Sequence, residues 1–297
     1  DAITIKSWLQ DKNAKRVVII GGGFIGLEMS EALHAAGIAA TIIHKDPLPA
    51  NRWDPELSAL MLEELQSHGV EFVANTAAQG IEKGSAAPLR VKTSTGDFEG
   101  DLVLLAIGVR PDATLAKTIG LRIGATGAIA VDFSQKTSIE NIYAAGDCCE
   151  SFHKVSRRWV HVPLGDVANK QGRTAGRNIG GRPMLFDGIV GAQSFRLFTL
   201  ECAATGLSEK EALAAGFSPV SNITWGSAMA PFSSPEDLLG PLDAALQVHA
   251  LLFLERRRVF GRLLAGAADH HRAHERRAFL GQRHEARQLR RRHLGVG

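Results

Sequence analysis

The chain has 297 residues, 45% of them hydrophobic, with 31 glycines and a net charge of +3. That is the composition of a soluble globular protein with room for about two domains, and the lack of any run of 18 apolar residues excludes a membrane-spanning helix. The three cysteines, Cys148, Cys149 and Cys202, form no CxxC pair and no disulfide framework, so a reducing cytoplasm is the expected compartment.

The chain opens DAITIKSW, without Met and without a basic, then apolar leader. No secretory signal is expected, and the opening points to a piece of a longer protein. KRVVII (15–20) is a continuous β-branched run, the pattern of a strand buried on both faces. GGG follows, and then FIGLEMSEALHAAG has apolar residues at helical spacing, closed by Gly37. IAATIIH (38–44) is the next strand, so residues 16–44 make one strand-turn-helix-strand unit. A second amphipathic helix is expected over 54–70, opened by Asp54 and Pro55. VEFVAN (70–75) reads as a third strand, 79–100 as a meander of short strands, and DLVLLAIG (101–108) as another buried strand. Residues 114–145 read as a short helix with short strands, 163–181 as a helix, and 186–232 as short strands around the helix SEKEALAAG.

Charge is uneven. Residues 255–297 hold 12 arginines, no lysine and four acids, a net of +8, which leaves the rest at −5.

Gly21, Gly23 and Gly26 fit G-x-G-x-x-G, with Gly22, Phe24 and Ile25 in the intervening positions. The first glycine allows the tight turn, the second lets a pyrophosphate approach the backbone, and the third lets helix and strand pack closely. The helix start offers free N–H groups to phosphate. Because strand, turn, helix and second strand all fall in place, the loop is read as a dinucleotide site rather than a plain turn. NAD sites place an acid about 20 residues on, for the ribose 2′-hydroxyl. Here His44 and Lys45 stand at the strand tip, with Asp46 after them. That pair suits a 2′-phosphate and favours NADPH over NADH; two solvated loop residues are the plain alternative. TSIENIYAAGD (137–147) ends a strand, after small residues, in Gly146-Asp147, where a bulky ligand can lie on the backbone and the carboxylate can accept hydroxyl hydrogen bonds; read alone, it equally fits any strand that ends in a turn.

Taken together, VVIIGGGFIGLEMSEAL, TSIENIYAAGD, VPLGDVANKQGRTAGRNIGG, LLAIGVRPD and TGLSEKEALAAGF resemble the pyridine nucleotide-disulfide oxidoreductase family, on the side of its coenzyme A-disulfide reductases and NADH oxidases. The likeness covers about residues 1–232. It implies an α/β fold with a three-layer Rossmann-like NAD(P)-binding domain at 1–112. The C-terminal part of an FAD-binding domain would follow at 113–185, and a truncated α+β dimerisation domain at 186–254. It implies that Asp147 holds the FAD ribityl chain. The helix start with Pro163, Leu164 and Ala168 would face the isoalloxazine ring, and Glu28 and Gly108 would lie near the nicotinamide nucleotide. It further implies FAD and NADPH or NADH as cofactors, a small thiol, disulfide or oxygen as acceptor, and a homodimer in the complete protein.

The family's N-terminal FAD half, with its own glycine loop and the redox-active cysteine, has no counterpart in this sequence. Residues 1–15 resemble the linker into the NAD(P) domain. No catalytic residue and no metal ligand is therefore assigned. Cys148 and Cys149 directly follow Gly146-Asp147, and a structural or incidental role is favoured over a redox one. The 255–297 tail departs from the family and reads as frame-shifted translation in preference to a nucleic-acid-binding arm. Alternatives to the flavoenzyme reading are a non-catalytic dinucleotide-binding remnant and an electron-transfer reductase of the ferredoxin type.

Overall fold

The apolar run at 16–20 becomes an inner strand of a parallel sheet. The structure, a computed structural model, describes residues 2–223. In chain order, α1 (Ala2–Asp11) leads to β1 (Arg16–Ile20), α2 (Phe24–Ala35), β2 (Ala39–Ile43), α3 (Pro55–Ser67) and β3 (Glu71–Val73). A three-stranded antiparallel meander follows, β4 (Ala78–Lys83), β5 (Leu89–Thr93) and β6 (Asp97–Gly100), and the chain re-enters the sheet as β7 (Leu102–Leu105). The sheet order is β3-β2-β1-β7, all parallel. Val17, Val18, Ile19 and Ile20 are all buried, as expected of a strand covered on both faces. Within the segment read as a linker, Ala2–Asp11 form the helix α1.

The meander is tied at its first turn by one carboxylate. Glu99 accepts hydrogen bonds from the N–H groups of Ser85, Ala86 and Ala87 and from the Arg90 guanidinium.

After β7 come α4 (Thr114–Thr118), the hairpin β8 (Ser151–His153) and β9 (Arg158–Val160), α5 (Gly165–Ile179), the hairpin β10 (Gln193–Leu197) and β11 (Leu200–Ala204), and α6 (Glu209–Ala214). The short strands expected between 114 and 145 shrink to isolated bridges such as Lys136 with Tyr143. There the backbone is satisfied by side chains instead: Asp132 accepts from the N–H groups of Ser134 and Lys136.

The β10–β11 hairpin packs on the same core as the parallel sheet, with Leu197 and Cys202 buried beside Val17, Leu33 and Met61. Its turn is clamped by α2 and α3. Glu31 accepts from the Phe198 N–H (3.0 Å), and Glu64 accepts from the N–H and hydroxyl of Thr199 (2.7 and 2.8 Å). The Phe198 ring stacks on His68 at 4.0 Å and meets His34 edge-on. Asp54, expected to open α3, also receives the Glu209 N–H at the start of α6.

Residues up to Gly216 belong to one compact unit; residues 217–222 fall outside it and carry no helix or strand. Residue 224 onward, which includes the rest of the 186–254 segment and the basic tail at 255–297, lies outside the described residues.

Candidate cofactor site

The glycine loop connects β1 to α2, and its three motif glycines are constrained in different ways. Gly21 has φ +112°, and a Cβ there would run into the Ala106 carbonyl oxygen. A Cβ on Gly26 would run into the carbonyl of Gly21. These two are fixed by the protein's own backbone. Gly23 is different: its φ is −83° and nothing lies within 4 Å of a Cβ. Space is open at the position where a pyrophosphate would approach a loop of this kind. Gly23 is also the N-cap of α2 and supplies no capping side chain, so the first N–H groups of the helix remain available to an anion.

The strand tip separates the two residues read as a pair. His44 is buried at 9% exposure, and its Nδ1 accepts the Gly22 N–H at 3.1 Å. Burial pushes its imidazole below the usual histidine range, opposed by Asp46 and reinforced by Lys45. His44 is thus a neutral support under the loop. Lys45 is the exposed cation of the pair, and its Nζ lies 3.0 Å from Asp46. Asn51 donates to the same carboxylate at 2.6 Å, and these two hold Asp46 below the usual carboxylate range, the Lys45 hydrogen bond first among the causes.

The other cofactor residues fall as follows. Ile25 is 58% exposed, and Glu28 and Gly108 are exposed, on α2 and just past β7. Phe24 turns into an edge-to-face aromatic cluster with Trp53 and Phe195, centroids 6.2 and 4.9 Å away. Gly146 has φ +85°, and a Cβ built there would stand 3.6 Å from the Ala168 methyl. The Gly146-Asp147 turn therefore lies against the first turn of α5. Asp147 is exposed, and its backbone carbonyl takes a hydrogen bond from His161 Nε2 at 2.8 Å. The buried Gln171 accepts the Gly146 N–H at 2.8 Å. The turn is pinned from both sides while its carboxylate faces solvent, which fits a group meant to receive hydroxyls from a ligand.

A cavity of about 960 Å³ is reached by Phe24 and by the start of α5; its lining includes Phe24, Trp53, Pro163, Leu164, Gly165 and Ala204, and much of the rest comes from the two hairpins and α6. It lies within the upper range of small-molecule sites and is walled mostly by apolar groups, as such sites are. The start of α5, capped by Leu164 without a side-chain hydrogen bond, opens onto it.

Cys148 is half-buried and Cys149 buried, both as free thiols. Their sulfurs donate to the carbonyls of Ala145 and Gly146 (3.4 Å each). The Cys149 side chain draws the Cys148 thiol down to about 6, and Cys149 beside it is driven up. Cys202, buried in the hairpin core, is pushed up to about 12 by burial.

The sequence does not single out Gln171, and it gives His161, like His153, only as a loop or helix-entry residue rather than a catalytic base. Gln171 had a signal: it shares the inward face of α5 with Val167, Thr174 and Ala175, a buried polar position visible in the helical period. His161 had none, because its partner is a backbone carbonyl fourteen residues away in sequence.

A parallel sheet ordered β3-β2-β1-β7, with the glycine loop at its carboxyl edge and the Gly146-Asp147 turn against α5, defines a Rossmann-type α/β fold. The chain belongs to the pyridine nucleotide-disulphide oxidoreductase family, whose sequence profile matches residues 3–172. It is 39% identical over 218 residues to an NAD(P)H coenzyme A polysulfide/persulfide reductase of Pyrococcus horikoshii, covering 73% of this chain and 48% of that protein. An NADH oxidase of Methanocaldococcus jannaschii is 32% identical over 70% of this chain and 46% of its own length. Among solved structures, an NAD-dependent persulfide reductase from A. fulgidus superposes with a TM-score of 0.68 at 37% identity, covering 73% of this chain and 40% of that one. The chain spans about half the length of the curated relatives it matches.

Proposed function

We propose that the chain serves an FAD-dependent NAD(P)H oxidoreductase in which hydride passes from the nicotinamide to FAD, and electrons then pass to a small disulfide, a persulfide or oxygen. The observation that carries this is the shared cavity: Phe24, from the dinucleotide loop, and Pro163 and Leu164, from the helix start beside Asp147, line the same space. A nicotinamide and a flavin ring held by these two elements would meet there. The cofactors supply the redox chemistry, and the chain's residues bind, orient and exclude water. Residues 1–112 would hold the dinucleotide, 113–185 the ribityl and ring side of FAD, and 186–254 part of a homodimer contact in a reducing, cytoplasmic setting.

On the dinucleotide, NADPH is favoured through Lys45 alone. Asp46 works against that preference, since it holds Lys45 and can itself accept a ribose hydroxyl.

The test is co-expression with the N-terminal FAD half of the P. horikoshii relative. A yellow complex that oxidises NAD(P)H with coenzyme A disulfide or polysulfide is expected. A chain that binds NAD+ yet yields no flavin complex is a dinucleotide-binding remnant, and one that binds neither ligand overturns the reading.

A further inference from the structure

His44 stands at the strand tip where the motif places a ribose-binding acid, yet its ring turns inward and, alone among the side chains of the described residues, holds the glycine loop by its backbone. We propose that His44 is a positioning residue for the dinucleotide: its neutral ring fixes the Gly22 peptide and with it the pyrophosphate turn, and protonation of the ring releases that turn. The inference rests on the reading that Gly21–Gly26 binds a dinucleotide.

The Gly22 N–H donates to Nδ1 at 3.1 Å in a buried contact. An imidazole nitrogen that accepts carries no proton, so the neutral ring has its hydrogen on Nε2. Nε2 is buried without a hydrogen-bond partner among the described residues, 3.5 Å from Asp46. The loop is gripped on its other side as well, where the Gly22 carbonyl accepts the Ala50 N–H at 2.7 Å. Fit around the ring is close: a Cβ on Gly22 would come within 2.9 Å of Phe72 and 3.2 Å of His44.

A second proton on the ring would land on Nδ1 and set two N–H donors face to face where water cannot intervene. One of them must move, and Gly22 lies between the glycine that makes the turn and the glycine that meets the pyrophosphate. The charged groups facing His44 are Asp46, which favours the extra proton, and Lys45, which opposes it. From β3 the neutral ring of Phe72 covers it, at a centroid distance of 5.8 Å. Burial outweighs Asp46, so the neutral, loop-holding form prevails at neutral pH.

The experiment is calorimetric titration of the chain with NAD+, chosen because it has no 2′-phosphate to titrate, from about pH 8 down to about pH 5. The expected affinity is level at high pH and then falls, approaching about tenfold per pH unit once His44 takes up its proton. His44→Asn keeps an acceptor near the Nδ1 position and cannot titrate; its affinity should vary by no more than about twofold over the same range. A level wild-type profile, or the same fall in both proteins, overturns the proposal. Failure of the wild type to bind NAD+ at any pH overturns the dinucleotide reading beneath it. Should His44→Asn fail to fold by circular dichroism, nitrogen NMR of the wild type decides. The Gly22 amide resonance should shift in step with the His44 ring, and an amide indifferent to that titration overturns the proposal.

Discussion

Gly23, unlike Gly21 and Gly26, is constrained by nothing inside the protein, and this divides the motif into testable halves. Gly23→Val should melt like the wild type, because its backbone is ordinary and its Cβ meets open space, yet it should lose NAD+ binding in calorimetry. Gly26→Ala should do the reverse, destabilising the fold by roughly 1–3 kcal/mol through overpacking against Gly21. Lys45→Ala should weaken NADPH by about 1 kcal/mol, roughly fivefold, the modest size reflecting an exposed cation already shared with Asp46. NADH should change little, and Asp46→Asn should tilt the preference further to NADPH; equal losses for both dinucleotides would remove Lys45 from the site. Iodoacetamide near neutral pH should label Cys148 before Cys149 or Cys202, since only Cys148 is both partly exposed and depressed, to about 6; peptide mass spectrometry reads the order. The glycine spacing was legible in the sequence because the tight turn and the close helix–strand contact require glycine at 21 and 26. The role of His44 was not, because its partner is the N–H of Gly22, twenty-two residues away, and whether a histidine at a strand tip points in or out depends on what covers it.

At the scale of elements, periodicity served well where one side of a segment is buried and failed where side chains replace backbone pairing. The β1, β2 and β7 runs read as strands because each is a short apolar stretch, β-branched throughout most of β1 and leucine-rich in β7. The 114–145 stretch read as strands too, yet Asp132 and its neighbours satisfy the backbone without a ladder. The meander has a comparable dependence on one group. Glu99 is held well below the usual carboxylate range, first by the Ser85 N–H and then by Arg90. A carboxyl whose pKa is lower in the folded state contributes stability that is full above its unfolded value, about 4.3, and fades as pH falls below it. The urea midpoint of the wild type should therefore drop more steeply below about pH 4 than that of Glu99→Gln; parallel curves would show that the clamp contributes nothing. The hairpin clamp can be cut in the same way. Glu64→Ala leaves the Thr199 N–H and hydroxyl without their acceptor and should cost about 1–3 kcal/mol, with hydrogen exchange accelerating in β10 and β11 ahead of β1.

For the molecule as a whole, the described residues would supply one side of the proposed flavin site: Asp147, its pinned turn and the start of α5. A ligand that spans two halves and meets one loses most of its contacts. The 297-residue chain, purified by itself with FAD added, should show no stoichiometric flavin absorbance and no NADPH oxidation; a one-to-one yellow complex that turns over would refute the domain reading. Solubility should also be poor, since Leu105, Ile107, Val109 and Leu115 are 59–76% exposed around the end of β7. The hairpin that lies on α2 and α3 has a consequence in time. Leu197 and Cys202 sit in one core with Val17 but leave the ribosome long after it, on the order of ten seconds later at roughly 5–20 residues per second. Until then the apolar faces of α2 and α3 have no lid. A nascent chain stalled before Gln193 should be cut readily by protease within those helices and bound by chaperones, and one stalled well past Gly216, with the hairpin and α6 clear of the exit tunnel, should resist both.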